Sequence, residues 1–353
     1  MDDNNSDKID FVLPWVDPTD KLWQKKKEYF CKKMDIDSGS NTSSRYRDME
    51  ILKYVLRSIE KNCSWYNNIF LITEGHYPKW LNVKHHKIRL ISHEELFYDK
   101  TDLPTFSSSA IECNLVSLKK LGISEKFIYL NDDMLIFRKV DTSRFFINNL
   151  PVDFLCHTLI PRSEFLLKLL GVTDSWSYSL LNNVELVNCK TNIQSIASNF
   201  IYHTSYSIID EISNFLMKNF YKKAISLKHW HYPQPYLTNT LEAVKESFDK
   251  QLKKASKNKF RDRNDLTAYI YRYWHLLSGE FYPAKFNDGI GDKNITSVKD
   301  VNEIFEKLKK EPHINFVCFN DSPDLTEQQF SLVKEKLLNE LEKYFPEKAS
   351  FEI

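Results

Sequence analysis

Short apolar, β-branched and aromatic runs punctuate the first part of the chain at residues 9–13, 68–73, 87–91 and 126–130, and a fifth such run occupies residues 315–319. Runs of this length bounded by polar residues predict buried strands. Between them the period changes. Leu52, Val55, Leu56 and Ile59 recur at helical spacing within Asp48 to Lys61, and Ile111, Leu115 and Leu118 do so within Ser108 to Leu121. Strands alternating with helices predict a mostly parallel sheet covered on its faces.

From about residue 150 to 297 the strand pattern fades and amphipathic helical stretches take over. One of them, residues 265–278, has Asn264 as its expected N-cap and Gly279 as its expected terminal glycine. The chain then returns to the sheet with the fifth strand and ends on an expected helix at residues 326–344. The pattern therefore predicts an α/β fold: a mostly parallel, Rossmann-like sheet flanked by helices, with a helical insertion before the last strand. In these terms residues 1–149 form the first part of the core, 150–298 the insertion, and 299–353 the return to the core.

Composition narrows the functional classes. With 353 residues, 42% of them hydrophobic and 27% charged, the chain has the make-up of a globular protein with a sizeable core. Forty-nine Lys and Arg against 48 Asp and Glu leave a formal charge of +1, which excludes a general nucleic-acid binder. Only 7 glycines are present, and neither GxGxxG nor GxxxxGK[ST] occurs, so dinucleotide and Walker-type phosphate loops are not expected. The six cysteines are scattered without a CxxC pair, which points to a reducing compartment. An acidic start, MDDNNSDKID, and the lack of any 18-residue apolar run predict a cytoplasmic protein whose membrane contact is at most peripheral.

Three of the apolar runs lead straight into carboxylates: Asp17 after the first, Asn131-Asp132-Asp133 after the fourth, and Asn320-Asp321 after the fifth. Ligands of an open parallel sheet bind outside the carboxyl ends of its strands, so these acids are expected at one crevice. A single strand-end Asp also serves as a turn or cap residue. Adjacent carboxylates repel, however, and a cation relieves the repulsion. Few hard oxygen ligands suit Mg²⁺ or Mn²⁺. The segment Arg45-Tyr-Arg-Asp48 reads as a helix opening, where arginines suit a diphosphate. In His229-Trp-His231-Tyr-Pro233 no third nitrogen or sulfur ligand stands at zinc spacing, so a single histidine acting as general base is the simpler chemistry. The basic stretch at residues 245–263 reads as a solvated helix face or as a contact for an anionic acceptor or lipid head groups.

Taken together these residues resemble the Stealth family, which includes bacterial capsular and cell-wall polysaccharide phosphotransferases and the animal N-acetylglucosamine-1-phosphotransferase of lysosomal targeting. The resemblance runs through residues 9–20, then Arg45, residues 56–60, 103–112 and 126–133, then His231-Tyr-Pro233 with residues 259–261 and Gly279, and finally residues 316–321. Pro18, Ser107 and Ser109 depart from the family's usual residues.

The resemblance implies a GT-A-like sheet and transfer of a hexose-1-phosphate or N-acetylhexosamine-1-phosphate from a UDP-sugar. The acceptor is a sugar hydroxyl of a capsular or cell-wall polysaccharide, or of its lipid-linked precursor, and UMP is released. It assigns His231 as base, Arg261 to the transferred phosphoryl group and Asp133 to catalysis, with Mg²⁺ or Mn²⁺ held among Asp132, Asp133 and Asp321. Donor contacts fall to Trp15, Asp17, Asp20, Arg45, Asp48, Ser108, Glu112 and Asn131. The competing expectations are a metal-dependent glycosyltransferase that releases UDP and a non-catalytic carbohydrate-binding protein, the latter because aromatics make up 14% of the chain.

Overall fold

The run Ile9-Asp-Phe-Val-Leu-Pro14 is buried along nearly its whole length, as a strand must be when helices cover both faces of its sheet. The computed structural model describes residues 7–35, 46–158, 163–291 and 293–353. In chain order its strands are β1 (Ile9–Pro14), β2 (Ile69–Thr73), β3 (Ile88–Ser92), β4 (Lys126–Tyr129), β5 (Met134–Ile136), β6 (Phe146–Ile147), β7 (Leu150–Asp153), β8 (Gln234–Leu237), β9 (Tyr282–Pro283), β10 (Gly289–Ile290) and β11 (Phe316–Cys318).

The central sheet has the order β3-β2-β1-β4-β8. Its first four strands are parallel, and β8 runs antiparallel to β4. Alternation along the strands separates two cores. Phe11, Leu13, Ile69, Leu71 and Ile128 join the helices Leu52–Asn62, Val298–Lys310 and Glu327–Tyr344 in one. Val12, Phe70, Ile72, Phe127 and Tyr129 join Ser175–Asn188, Thr238–Ser256 and Tyr269–Ser278 in the other. At the opposite end of the sheet from the site, the buried Asp10 carboxylate accepts from the Asn68 N–H (2.9 Å), the Asn67 amide (2.8 Å) and the Ser124 N–H (2.6 Å). That one side chain ties β1 to the chain entering β2 and β4, satisfying a buried charge with three donors.

The sequence-based expectations for the sheet hold for β1 to β4, and two others are corrected. The helical insertion contains β8, a strand of the central sheet that the Pro-rich sequence Tyr232-Pro-Gln-Pro235 hides, since proline weakens a strand signal and suits an edge position. The fifth run does not return to the central sheet. It forms β11 in a separate three-stranded sheet, β10-β11-β5, antiparallel to β5 and parallel to β10. Helix boundaries shift as well. The helix expected from Asp48 starts at Leu52. The one expected over 108–121 is α-helical only at Ser108–Glu112 and continues as tighter turns at Leu115–Leu121. The one expected from Asp265 starts at Tyr269, because Asn264 and Asp265 are occupied by loop bonds to Asp262 and Asn258. Gly279 does close that helix, at φ +73°.

All six cysteines are free thiols, and no helix among the described residues is long and apolar enough to cross a membrane.

Candidate active site

In the strand order β3-β2-β1-β4 the chain leaves β1 toward one side and later returns to its other side. The topological switch therefore falls between β1 and β4, where a crevice opens beyond the strand ends. A cavity of about 1170 Å³ occupies that place. Trp15 reaches it from the end of β1 and Asn131, Asp132 and Asp133 from the end of β4. Ser108, Glu112, Arg261, His231 and Asp321 also line it, so residues spread over most of the chain converge as the sequence pattern expects.

The acidic centre comes first. Burial pushes the Asp132 carboxyl well above its usual range, and the neighbouring Asp133 and Asp48 carboxylates push the same way. Asp48 is itself raised, chiefly by burial, while the N–H of Glu50, Lys334 and the Trp15 indole hold it down in part. One oxygen each of Asp133 and Asp321 is buried without a hydrogen-bond partner. Clustered, desolvated carboxylates with unpaired oxygens are the arrangement a hard divalent cation stabilises. Asp132, Asp133 and Asp321 all line the cavity with Asp48 as a fourth acid, although no three of these acids bring ligand atoms within 4.8 Å of one another. Ligand atoms of Asp133, His231 and Cys318 do lie within 4.8 Å of one another. Burial and the charge of Asp133 push the Cys318 thiol well up, and its Sγ donates to Asn320 Oδ1 at 3.5 Å, so the group is a protonated thiol in this arrangement.

The second sheet sets the backbone just before Asp321 beside Asp133. Cys318 pairs with Met134 in the β11–β5 ladder, and the Phe319 N–H donates to the Asp133 carbonyl at 3.0 Å. Arg47 then fixes the Asp321 loop from the other side. Its Nε donates to Asp321 Oδ2 (3.0 Å), Nη1 to the Leu325 carbonyl (3.0 Å) and Nη2 to the Ser322 carbonyl (2.9 Å), with the guanidinium 4.5 Å from the Phe330 ring. Arg47 was not among the expected donor contacts. The motif Arg45-Tyr-Arg-Asp48 carried the signal, but Arg47 and Asp48 lie ahead of the helix, which starts at Leu52. Arg45 itself lies outside the described residues.

His231 is set by β8. Because Gln234 pairs with Tyr129 across β4, the residues just before β8 lie beside those just after β4. His231 Nε2 is 3.4 Å from the Asn131 amide. The approach is close on the other side too: a Cβ at Gly291 would stand 3.0 Å from the His231 carbonyl, and one at Gly289 would overlap the Tyr232 ring at 2.3 Å. Behind this segment lies a buried ion network in which Asp153 takes two bonds from Arg272 (2.8 and 2.7 Å) and one from His275 (2.9 Å). Arg272 also donates to the Lys228 carbonyl at 2.8 Å, which anchors the segment three residues before His231.

A second polar group lines the cavity around Glu112. Burial pushes its carboxyl up to about 7, against the pull of the Ala268 N–H (2.6 Å), Arg261 and the Tyr129 hydroxyl (3.1 Å). Arg261 is exposed and donates to Ser108 Oγ at 3.2 Å. Its neighbour Phe260 stacks on Phe106 with ring centres 5.1 Å apart, and the Phe106 N–H donates to the Lys259 carbonyl at 2.7 Å. The loop of residues 259–261 is thus held against the turn that carries Ser107 and Ser108.

Two expected donor contacts lie outside the cavity lining. Asp17 accepts from the Thr19 N–H and hydroxyl (2.8 and 2.6 Å), and Asp20 caps the helix Lys21–Lys33 by accepting from the Trp23 N–H (2.7 Å). Neither lines the cavity, and both carboxylates serve local backbone, the ordinary role of Asp at a strand end. His93 was not expected. It lines the cavity 94% buried, with no hydrogen-bond partner on either ring nitrogen, and burial pushes it down to about 4, so it is a neutral imidazole there. In the sequence it reads only as part of the capping box Ser92-His-Glu-Glu95.

The chain matches two family models, Stealth protein conserved region 1 over residues 7–35 and conserved region 2 over residues 45–153. It is 36% identical to a capsular polysaccharide phosphotransferase, WcwK, of Streptococcus pneumoniae, with 99% of each chain covered. A receptor polysaccharide phosphotransferase, WefC, of Streptococcus oralis is 28% identical over 98% of this chain and 99% of its own. An exopolysaccharide phosphotransferase, cps2G, of Lactiplantibacillus plantarum is 26% identical over 98% of this chain and 96% of its own.

Proposed function

This chain belongs to the Stealth family and is a transferase, and on that premise we propose that it moves a sugar-1-phosphate from a UDP-sugar to a hydroxyl of a capsular or exopolysaccharide, releasing UMP. The observation that carries the reading is the conjunction, in one cavity, of an acidic cluster with unpaired buried oxygens, an imidazole beside it and an exposed guanidinium. Phosphoryl transfer asks a protein mainly for positioning and charge neutralisation, and these are the required parts.

In this mechanism the acceptor hydroxyl oxygen attacks the β-phosphorus of the donor. A new phosphorus–oxygen bond forms, the bond to the UMP oxygen breaks, and the sugar C1–oxygen bond stays intact. His231 Nε2 takes the hydroxyl proton. Asn131, 3.4 Å away, orients the ring. Arg261 lies over the transferred phosphoryl oxygens, held toward the cavity by Ser108 and the Phe106–Phe260 stack. Asp132, Asp133 and Asp321 would hold Mg²⁺ or Mn²⁺, which supplies charge neutralisation on the diphosphate. Trp15 and Asp48 flank the donor at the end of β1.

A donor labelled with ³²P at its β-phosphate tests the reading. Label should appear in the polymer fraction and resist phosphomonoesterase, as a phosphodiester does. A polymer that gains the sugar but no ³²P would refute it.

A further inference from the structure

The helix Ile208–Leu216 continues through a wider turn at Met217–Tyr221, and its polarity is turned inside out. Asp210, Ser213 and Asn214 are fully buried. Asn214 donates to the Leu155 and Ile201 carbonyls (2.7 and 2.8 Å) and accepts from the His157 N–H (2.8 Å). Asp210 binds Lys228 at 2.6 Å and Lys285 as well, and forms a capping box with Ser207. These bonds lock the helix with its polar side inward.

The apolar side is left in water. Ile208, Ile209, Ile212, Phe215 and Phe220 are 49–77% exposed. The positions 208, 212 and 215 share one helical stripe, and Phe220 extends it, with its ring 6.1 Å from that of Phe215. A contiguous exposed stripe of this kind marks an interaction surface.

We propose that this stripe docks the protein on an anionic lipid bilayer, with the helix lying in the plane of the interface. The charge pattern selects this occupant. Lys222 and Lys223, both exposed, directly follow Phe220 and Tyr221 at the end of the stripe and outnumber Glu211, the acid beside it, while Lys218, one turn earlier, is bound to the Ile196 carbonyl at 3.0 Å. Apolar side chains that enter the acyl boundary beside lysines that meet phosphate head groups are the signature of an interfacial helix. The chain as a whole carries a formal charge of only +1, so this basic edge is local to the stripe. The docked helix also connects to the cavity wall, because Lys228, bound to Asp210, directly precedes His229. The inference does not depend on the identity of the donor or on the transfer reaction.

Flotation of the full chain with phosphatidylcholine vesicles, with and without phosphatidylglycerol, tests it. Binding is expected to the phosphatidylglycerol vesicles and to weaken with salt. Ile212→Asp/Phe215→Asp should lower the partition coefficient about ten-fold or more, and Lys222→Glu/Lys223→Glu at least roughly five-fold. The replaced side chains are exposed, so the melting temperature should not move, and it serves as the folding control. Absence of binding to anionic vesicles, or equal binding by the Ile212→Asp/Phe215→Asp variant, overturns the proposal. A concentration-dependent dimer that this variant abolishes, without vesicle binding by the unsubstituted chain, assigns the stripe to a second copy and overturns it too.

Discussion

Arg47 Nε lies 3.0 Å from Asp321 Oδ2, joining residues 274 positions apart. Nη1 donates to the Leu325 carbonyl, and Nη2 to that of Ser322 while also lying 2.9 Å from Asp321 Oδ2, so the arginine shapes the loop as well as balancing the charge. Arg47→Ala should lower kcat/KM on the order of 10²-fold and cost about 2 kcal/mol of stability, since it leaves a half-buried carboxylate and two carbonyls without their donor. Arg47→Lys should not restore activity, because one ammonium cannot serve three acceptors in a fixed fork. Steady-state kinetics with thermal melts check both, and full activity in either variant would show that Asp321 needs no such support.

On the proposed reading, Asp132 and Asp133 hold the divalent cation. Chelation should abolish turnover, and added Mg²⁺ or Mn²⁺ should restore it. Asp133→Asn should keep the fold while reducing kcat on the order of 10²-fold or more. Isothermal titration with the metal alone gives a second readout, in which the variant should bind weakly or not at all. Unchanged metal affinity would place the ion elsewhere.

His231 separates binding from chemistry. His231→Ala should reduce kcat by about 10²- to 10⁴-fold while leaving donor affinity nearly unchanged. If donor affinity fell in parallel, the imidazole would be a donor contact or a metal ligand beside Asp133 and not the base.

Glu112 ties stability to pH. Burial raises its carboxyl from 4.5 to about 7 in the folded protein. A raised folded pKa means that the protonated form favours the fold, so its contribution is fully present below 4.5 and is lost as pH rises through about 7. Melting temperature measured across this window should fall with rising pH in the native chain and fall less in Glu112→Gln. Parallel curves would remove Glu112 as the source.

Most of the central sheet was legible in the sequence because its strands are continuous apolar runs, and the crevice followed from the carboxylates at their ends. Asp132, Asp133, Asp321, His231 and Arg261 do reach the cavity. What escaped depended on long-range pairing. Nothing local to Gln234–Leu237 says that this proline-containing segment completes the central sheet, yet that pairing sets His231 beside Asn131. Likewise the run ending in Asp321 looks the same whether it joins the central sheet or a second one. Asp17 and Asp20 show the converse: a strand-end aspartate that caps its own backbone has the same sequence as one that faces a ligand. His93 gave no signal, because its partnerless burial arises from tertiary packing.

The most direct test of the central claim is the identity of the nucleotide released when the purified protein is given a UDP-hexose, Mg²⁺ and an acceptor polysaccharide. Attack at the β-phosphorus predicts acceptor-dependent UMP, with the donor's anomeric configuration kept in the product. Release of UDP would mean that the C1–oxygen bond breaks instead, and would contradict sugar-1-phosphate transfer.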